Sequence, residues 1–116
     1  MNVEEIRDYI IDKKGVSEGF PFNETTLVFK VAGKMFGLLN LGTPPLSINL
    51  KCDPEKAMEL RETYSYVKPG YHMNKAHWNT ITISDTISPK LLKQWIDDSY
   101  NLVYNKLTKK LRESIS

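Results

Sequence analysis

Chemically capable side chains are concentrated in one short segment, residues 68–79. It combines cations, rings and amides: Lys68, Tyr71, His72, Asn74, Lys75, His77, Trp78 and Asn79. Imidazoles can bind metals, but a spacing of five points His72 and His77 to opposite faces of a strand and away from one another on a helix. No known zinc pattern has this spacing, so we predict no metal site and no cofactor.

The same segment has two further interpretations. One is a small pocket lined by His72, Asn74, Trp78 and Asn79, for which the residues suggest no substrate. The other is an irregular hairpin in which the polar groups satisfy one another, as buried polar groups generally do.

The single thiol, Cys52, is a poor candidate for a nucleophile. It follows the inward phase of a predicted strand, whereas a nucleophilic cysteine needs exposure and a lowered pKa. One cysteine forms no internal disulfide, so we expect a reducing compartment and a cytoplasmic protein.

Neither the glycines nor the paired acids indicate an enzyme. Gly33, Gly37 and Gly42 lie in or between predicted strands and form no phosphate-binding loop. Glu4-Glu5 and Asp97-Asp98 are expected on exposed helical faces, where solvation explains them. We therefore predict no catalytic residue.

Cations alternate with rings on two predicted hairpin loops. Lys30 and Lys34 flank the first turn, and the second loop combines Lys68, Lys75 and His77 with Tyr71 and Trp78. The lysines could contact phosphates while the rings stack. Alternatively, Tyr71 and Trp78 are half-buried against the last helix and the lysines are ordinary solvated charges.

The elements that position these loops follow from caps and periodicity. Asn2 and Glu5 predict a capped first helix that ends at Gly15. Alternation with period two predicts strands over 25–31 and 46–52, and the run over 34–41, apolar almost throughout, predicts a central strand covered on much of both faces. Residues 16–23 show no clean period and predict an ordered connection whose two phenylalanines, Phe20 and Phe22, pack into the core.

Two further helices and two strands follow. Asp53-Pro54 predicts a helix to about Tyr64, on which Arg61 packs by its stem only. A short edge strand near Val67 precedes a strand over 78–84.

Ser88-Pro89 starts the last helix, which is predicted to run past Leu111 over roughly 35 Å. Its end is basic, with Lys106, Lys109, Lys110 and Arg112. These cations either complement the helix dipole or contact phosphates.

The order helix, three strands, helix, two strands, helix (α-β3-α-β2-α) predicts an α+β fold. Short connections favour an antiparallel sheet with the helices on one face, in two layers. The chain has 116 residues, 41% of them hydrophobic, so we expect one soluble domain over 1–116. No apolar run approaches the ~18 residues that cross a bilayer, and no membrane partner is expected.

Several stretches together resemble the MmcQ/YjbR-like family of small bacterial proteins, formerly a domain of unknown function. They are Phe20-Pro21-Phe22, Val28-Phe29-Lys30-Val31, Gly33-Lys34-Met35-Phe36, Leu50-Lys51-Cys52-Asp53-Pro54, Pro69-Gly70-Tyr71-His72-Met73-Asn74-Lys75, His77-Trp78-Asn79-Thr80, Ser99-Tyr100 and Leu102-Val103. The resemblance implies a two-layer α+β fold similar to type III secretion chaperones, and a double-wing motif described as DNA-binding.

Two hypotheses of function follow. The first is a non-enzymatic module that binds double-stranded DNA through Lys34, Lys68, Tyr71, Lys75, His77, Lys106, Lys109 and Lys110. A net charge of +2 permits this partner without arguing for it. The alternative is a peptide- or protein-binding module, chaperone-like and dimeric, that uses an exposed sheet face or edge.

Overall fold

The computed structural model describes residues 1–115, which form six strands and four helices. In chain order they are α1 (Val3–Ile11), β1 (Val16–Gly19), β2 (Thr26–Val31), β3 (Lys34–Asn40), β4 (Ser47–Lys51), α2 (Pro54–Thr63), β5 (Val67–Pro69), β6 (Trp78–Thr82), α3 (Pro89–Asn105) and α4 (Lys109–Ser114). All strands pair antiparallel in one sheet, in the order β1-β2-β3-β4-β6-β5. The predicted α+β class with an antiparallel sheet is confirmed.

The core lies between one face of the sheet and the helices. Ile6 and Ile10 of α1 and Ile96 of α3 are fully buried there with Phe29 and Phe36 of the sheet. On the opposite face a smaller cluster forms from Val28, Leu38 and Trp78, with Met35 and Met73 packed against it. We call this second side the helix-free face, since none of α1, α2 and α3 contributes to its cluster.

The predicted helix starts carry the caps that the sequence indicates. The backbone nitrogen of Glu5 donates to Asn2 Oδ1 at 2.8 Å, and that of Leu91 donates to Ser88 Oγ at 3.1 Å. The β2–β3 hairpin turns at Ala32 and Gly33, where φ is 48° and 81°. A two-residue hairpin loop of this twist needs positive φ at both central positions, which glycine adopts readily and alanine does not.

The expectation for residues 16–23 was wrong in two respects. Residues 16–19 form β1, an edge strand that pairs with β2. Four residues are too few for an alternating pattern to be recognised in the sequence. Phe20 and Phe22 are 49% and 64% exposed instead of packing into the core. Both extend beyond the edge strand on the helix-free side, where Phe20 lies beside Val28 and Lys30.

The last helix is also interrupted. α3 ends at Asn105, and Thr108 caps a separate α4 by accepting a hydrogen bond from the backbone nitrogen of Leu111 at 3.2 Å. The break lets Leu107 turn into the core, where it is 6% exposed. A threonine hydroxyl that caps a new turn competes with continuation of the first helix.

Because of this break, the basic residues at the end of the predicted last helix lie at ends of two helices with opposite dipole charge. Lys106 caps the C-terminus of α3, where a cation complements the helix dipole. Lys109 and Lys110 instead open α4, at the positive end of its dipole, so the dipole does not account for them.

The antiparallel pairing brings several connections to one end of the sheet. The β2–β3 turn, the last residue of β4 and the β5–β6 connection (residues 70–77) lie at this end, because Lys34 pairs with Val31 and Lys51 with Trp78. The two edges are formed by β1, with four residues, and β5, with three. Within residues 1–115 no helix has the length and apolar character needed to cross a bilayer.

Candidate functional site

A groove of about 570 Å³ lies where this end of the sheet meets the α3–α4 break. Three lysines, three aliphatic side chains and three other residues line it: Lys34, Met35, Lys51, Trp78, Val103, Lys106, Leu107, Thr108 and Leu111. We call it the lysine groove. Among the described residues, 1–115, no aspartate or glutamate lines it, so its charge is positive.

Three elements position the lysines. Lys34 is the first residue of β3, Lys51 the last of β4, and Lys106 the C-cap of α3. The buried hydroxyl of Ser99 ties these elements together, since it donates to the carbonyl of Phe36 at 2.6 Å and accepts from the backbone nitrogen of Lys51 at 2.8 Å. These two hydrogen bonds hold α3 against β3 and β4, the elements that carry the three lysines.

The β5–β6 connection is fixed by a second junction, centred on Arg61 of α2. Arg61 Nε donates to Asn79 Oδ1 at 2.7 Å, and Nη2 donates to the carbonyls of Trp78 and Lys75. Asn79, which is 1% exposed, donates in turn to the carbonyl of Ala57 at 3.2 Å. Arg61 thus does more than pack by its stem, because its guanidinium holds the chain on which the predicted loop residues lie.

Gly70 lets the connection close tightly against β6. Its nitrogen donates to the carbonyl of Trp78 at 2.8 Å, and a Cβ at this position would lie 2.7 Å from that of Trp78. The ammonium of Lys75 donates to the Gly70 carbonyl at 3.0 Å, so Lys75 stabilises the connection as well as carrying charge.

A larger concavity, of about 750 Å³, occupies the helix-free face. Its lining is mostly amides, hydroxyls, rings and thioethers: Phe22, Asn23, Thr25, Thr26, Met35, Leu38, Asn40, Gly42, Thr43, Ser47, Asn49, Tyr71, His72, Met73 and Thr80. We call it the sheet-face groove. None of these lining residues is a lysine, arginine, aspartate or glutamate, and Met35 also lines the lysine groove, so the two grooves adjoin.

Hydrogen bonds between strands shape the floor and wall of the sheet-face groove. Thr80 Oγ1 donates to Asn49 Oδ1 at 2.6 Å and accepts from the backbone nitrogen of Tyr71 at 2.9 Å. This pair of bonds holds Tyr71 at the rim, where its side chain lies against the His72 ring with centroids 4.0 Å apart. His72 has a φ of 58°, an uncommon conformation for a residue with a side chain.

The structure separates the members of the predicted pocket. His72 lines the sheet-face groove, whereas Asn79 is buried on the helix side of the sheet with Arg61. Asn74 Oδ1 accepts from the nitrogen of Ala76 and stabilises the turn. Trp78, 7% exposed, belongs to the cluster of the helix-free face and lines the lysine groove. These four side chains do not line one cavity.

The two imidazoles are also apart. The carbonyl of His77 accepts from the backbone nitrogen of Cys52 at 2.7 Å, and His77 lines neither groove. Within residues 1–115 no three histidine, cysteine, aspartate or glutamate side chains are grouped closely enough to hold a metal ion.

The rings differ from the expectation that the last helix half-buries them. Tyr71 is 69% exposed at the rim of the sheet-face groove, and Trp78 is buried against Val28 and Leu38 of the helix-free face. Tyr71 is therefore available for contact with a ligand, and Trp78 mainly supports the floor.

The predicted cations fall into three groups. Lys34 and Lys106 both line the lysine groove. Lys109 and Lys110 lie next to it on α4, where Lys109 Nζ is 3.9 Å from Glu113 Oε1. Lys68 pairs with Thr80 on the edge strand. Lys51 was missed as a site residue: it alternates outward on its strand, but its nearness to Lys34 and Lys106 follows from tertiary packing.

Cys52 lies in a half-buried position beside a cavity on the helix side. Burial, and then the charges of Asp53 and Asp98, raise the pKa of its thiol to about 11. The thiol stays protonated at neutral pH, which does not favour nucleophilic chemistry.

Asp97 is not the simply solvated acid that the sequence suggests. Its Oδ1 accepts from the Tyr9 hydroxyl at 2.7 Å and from the Lys13 ammonium, linking α1 to α3. Burial, followed by the hydrogen bond to Asp97, raises the pKa of Tyr9 to about 12. Asp98 is exposed, as expected, and accepts from Gln94 at 2.9 Å.

Comparisons with known proteins agree with this architecture. The model of the family described as YjbR matches residues 11–102. The uncharacterized protein YbdF of Escherichia coli O157:H7 is 44% identical over 93 residues, which cover 78% of this chain and 75% of that protein. The uncharacterized protein YjbR of Escherichia coli strain K12 is 27% identical over 113 residues, covering 97% and 96%.

Solved structures share the fold over most of their length. The crystal structure of Deinococcus radiodurans protein DR2400, described as a DUF419 domain, matches with a TM-score of 0.91 at 38% identity and covers 97% of this chain and 86% of that chain. A crystal structure of a Pseudomonas syringae protein matches with a TM-score of 0.76 at 28% identity, covering 88% and 98%. The chain belongs to the YjbR family.

Proposed function

We propose that this protein is a non-enzymatic DNA-binding module that contacts the phosphates of double-stranded DNA through the lysine groove. The observation that carries the proposal is the convergence of Lys34, Lys51 and Lys106 from three elements, with no acid among the described residues that line the groove. Lysines so placed bind phosphates as point charges. A protein with a net charge of only +2 needs such a local concentration to attract a polyanion.

The loop residues extend this contact. Lys68, Lys75 and His77 lie on or beside the β5–β6 connection at the same end of the sheet, and Lys109 and Lys110 continue from Lys106 onto α4. The β2–β3 turn and the β5–β6 connection would serve as the two wings. Such contacts are made to the sugar-phosphate backbone of the DNA and depend little on its base sequence.

The test is fluorescence anisotropy with a random-sequence duplex over a salt series. We expect binding at low salt that weakens steeply as salt rises, with each lost phosphate contact lowering the log–log slope by about 0.9. The variant Lys34→Ala/Lys106→Ala should weaken binding several-fold and flatten the slope.

A matched control comes from the opposite end of α3. Lys90 is exposed in the first turn of that helix, about 25 Å from Lys106 at the usual rise per residue. Lys90→Ala should bind like the unmodified chain. Absence of duplex binding at low salt, or equal weakening by Lys90→Ala, would refute the proposal.

A second candidate function is a peptide- or protein-binding module that works as a dimer. The exposure of Phe20 and Phe22 on the helix-free side favours it, because large apolar side chains seldom stay exposed next to one another without a partner. Light scattering tests this: a dimer that Phe22→Ser dissociates would support it, and a monomer at every concentration would count against the dimer.

A further inference from the structure

We propose that the sheet-face groove binds an unpaired nucleobase, so that the ligand places an uncharged planar heterocycle on the sheet and its phosphates toward the lysine groove. This goes beyond the proposed function, because the ligand is an unpaired strand and not a duplex, and it rests on that function only for the phosphate contacts of the lysine groove. The base site itself is argued from the sheet-face groove alone.

The charge of the two grooves fits the two halves of a nucleotide. The lysine groove carries three cations, and the sheet-face groove that adjoins it at Met35 has no lysine, arginine, aspartate or glutamate among its described lining residues. A purely anionic ligand would find no lysine or arginine in this groove, and a purely apolar one would leave its amides and hydroxyls unsatisfied. A neutral, polar, planar group suits this lining.

A buried amide faces this groove with one of its polar atoms unused. Asn49 is 4% exposed, and its Oδ1 accepts from Thr80. Its Nδ2 has no hydrogen-bond partner among residues 1–115, yet it is not a buried unsatisfied atom, so it reaches the groove surface as a free donor. Asn40 is complementary, because its Nδ2 donates to Ser47 at 2.9 Å and leaves its Oδ1 as an acceptor. Amide groups of this kind recognise base edges.

Tyr71 supplies the stacking surface. Its ring is 69% exposed at the groove rim, and its backbone nitrogen donates to Thr80 Oγ1, the hydroxyl that also bonds Asn49. Aromatic side chains on a sheet bind unpaired bases by stacking, whereas a base inside a duplex is already stacked and presents only its edges. The groove therefore selects an unpaired base.

The first experiment uses uncharged ligands, so that the lysines play no part. NMR spectra of the labelled protein would be recorded with cytidine or adenosine, and with ribose as the matched sugar control. We expect the side-chain amide of Asn49 and the backbone amides of Tyr71 and Thr80 to shift with the nucleosides and not with ribose. No nucleoside-specific shift at these groups overturns the base site.

The second experiment compares a single-stranded oligonucleotide with an abasic strand of the same length and charge. We expect about tenfold tighter binding of the strand that carries bases, from stacking on one ring. Tyr71→Ala should remove this preference without weakening the abasic strand, and Tyr71→Phe should retain it. Both variants keep the backbone bond to Thr80, so they should fold.

The two proposals fail in different ways. Lys34→Ala/Lys106→Ala should weaken both strands equally, since it removes phosphate contacts. Equal binding of both strands overturns the base site and leaves the phosphate contacts standing. If neither strand binds at low salt, the phosphate contacts fail, and the nucleoside titration decides the base site without them.

Discussion

At the scale of single residues, Arg61 positions part of the candidate site although it lines neither groove. Its guanidinium donates to one side-chain oxygen and two carbonyls on the chain leading into β6. Arginine suits this place because its several fixed donors can serve three acceptors at once. The loop that carries Tyr71 and His72 is held in place by this side chain from the opposite side of the sheet.

Replacing Arg61 should therefore destabilise the protein. Arg61→Ala leaves the buried Asn79 Oδ1 without its donor, for which we expect a loss of about 1–3 kcal/mol in the free energy of unfolding. Urea denaturation would measure it. Arg7→Ala is the matched control, since Arg7 pairs with Glu18 on the surface, where a clearly smaller loss than for Arg61→Ala is expected. Equal losses in the two variants would show that the Arg61 contacts contribute no more than a surface pair.

At the scale of elements, the sequence predicts the helices that begin at a cap and the strands that have a clear apolar pattern. α1 and α2 begin at caps whose hydrogen bonds the structure shows, β2 and β4 have alternating apolar residues in the sequence, and β3 is an apolar run buried on both faces. β1 was not predicted because its four residues contain too few alternations of apolar and polar side chains to indicate a strand. The α3–α4 break escaped because Leu107 and Leu111 continue the apolar stripe of α3 across it.

The candidate site was predictable in its parts and not in its assembly. Lys34 and Lys106 were recognised as cations in exposed positions, but their meeting depends on α3 crossing the sheet to the end where β3 begins. Lys51 joins them because α3 packs across β3 and β4, where Ser99 bonds Phe36 and Lys51, and no local pattern indicates this packing. The sheet-face groove could not be inferred, since it depends on which face the helices leave free.

At the scale of the whole molecule, α1 is fastened to α3 by polar contacts as well as by its buried isoleucines. Tyr9 and Lys13 both reach Asp97, and the Tyr100 hydroxyl donates to the carbonyl of Lys14 at 2.6 Å. The Lys13 ammonium also lies 4.9 Å from the centre of the Tyr9 ring. These contacts join the N-terminal helix to the helix that supports the lysine groove.

This junction predicts a loss of stability in alkali. The folded-state pKa of Tyr9, about 12, lies above the ordinary value of 10.0, so the folded state holds the phenolic proton more tightly. Its contribution is complete below about pH 10 and falls as pH rises toward 12. Tyr9→Phe, measured by urea denaturation, should lower stability at pH 7 by about 1 kcal/mol and lose less than the unmodified chain between pH 10 and 12.

The comparison of the two proteins isolates Tyr9. Burial raises the pKa values of Cys52, Tyr66 and Tyr100 as well, and these groups titrate in both proteins. A constant difference in stability between Tyr9→Phe and the unmodified chain from pH 7 to pH 12 would contradict the assignment.

The short outer strands of the sheet limit how these molecules can associate. β1 has four residues and β5 has three, the last of them Pro69, which has no backbone N–H to offer a neighbouring strand. Edges this short are a recognised protection against strand-by-strand growth into fibres. The protein can thus leave one broad sheet face open to a ligand while offering other copies of itself little backbone on which to polymerise.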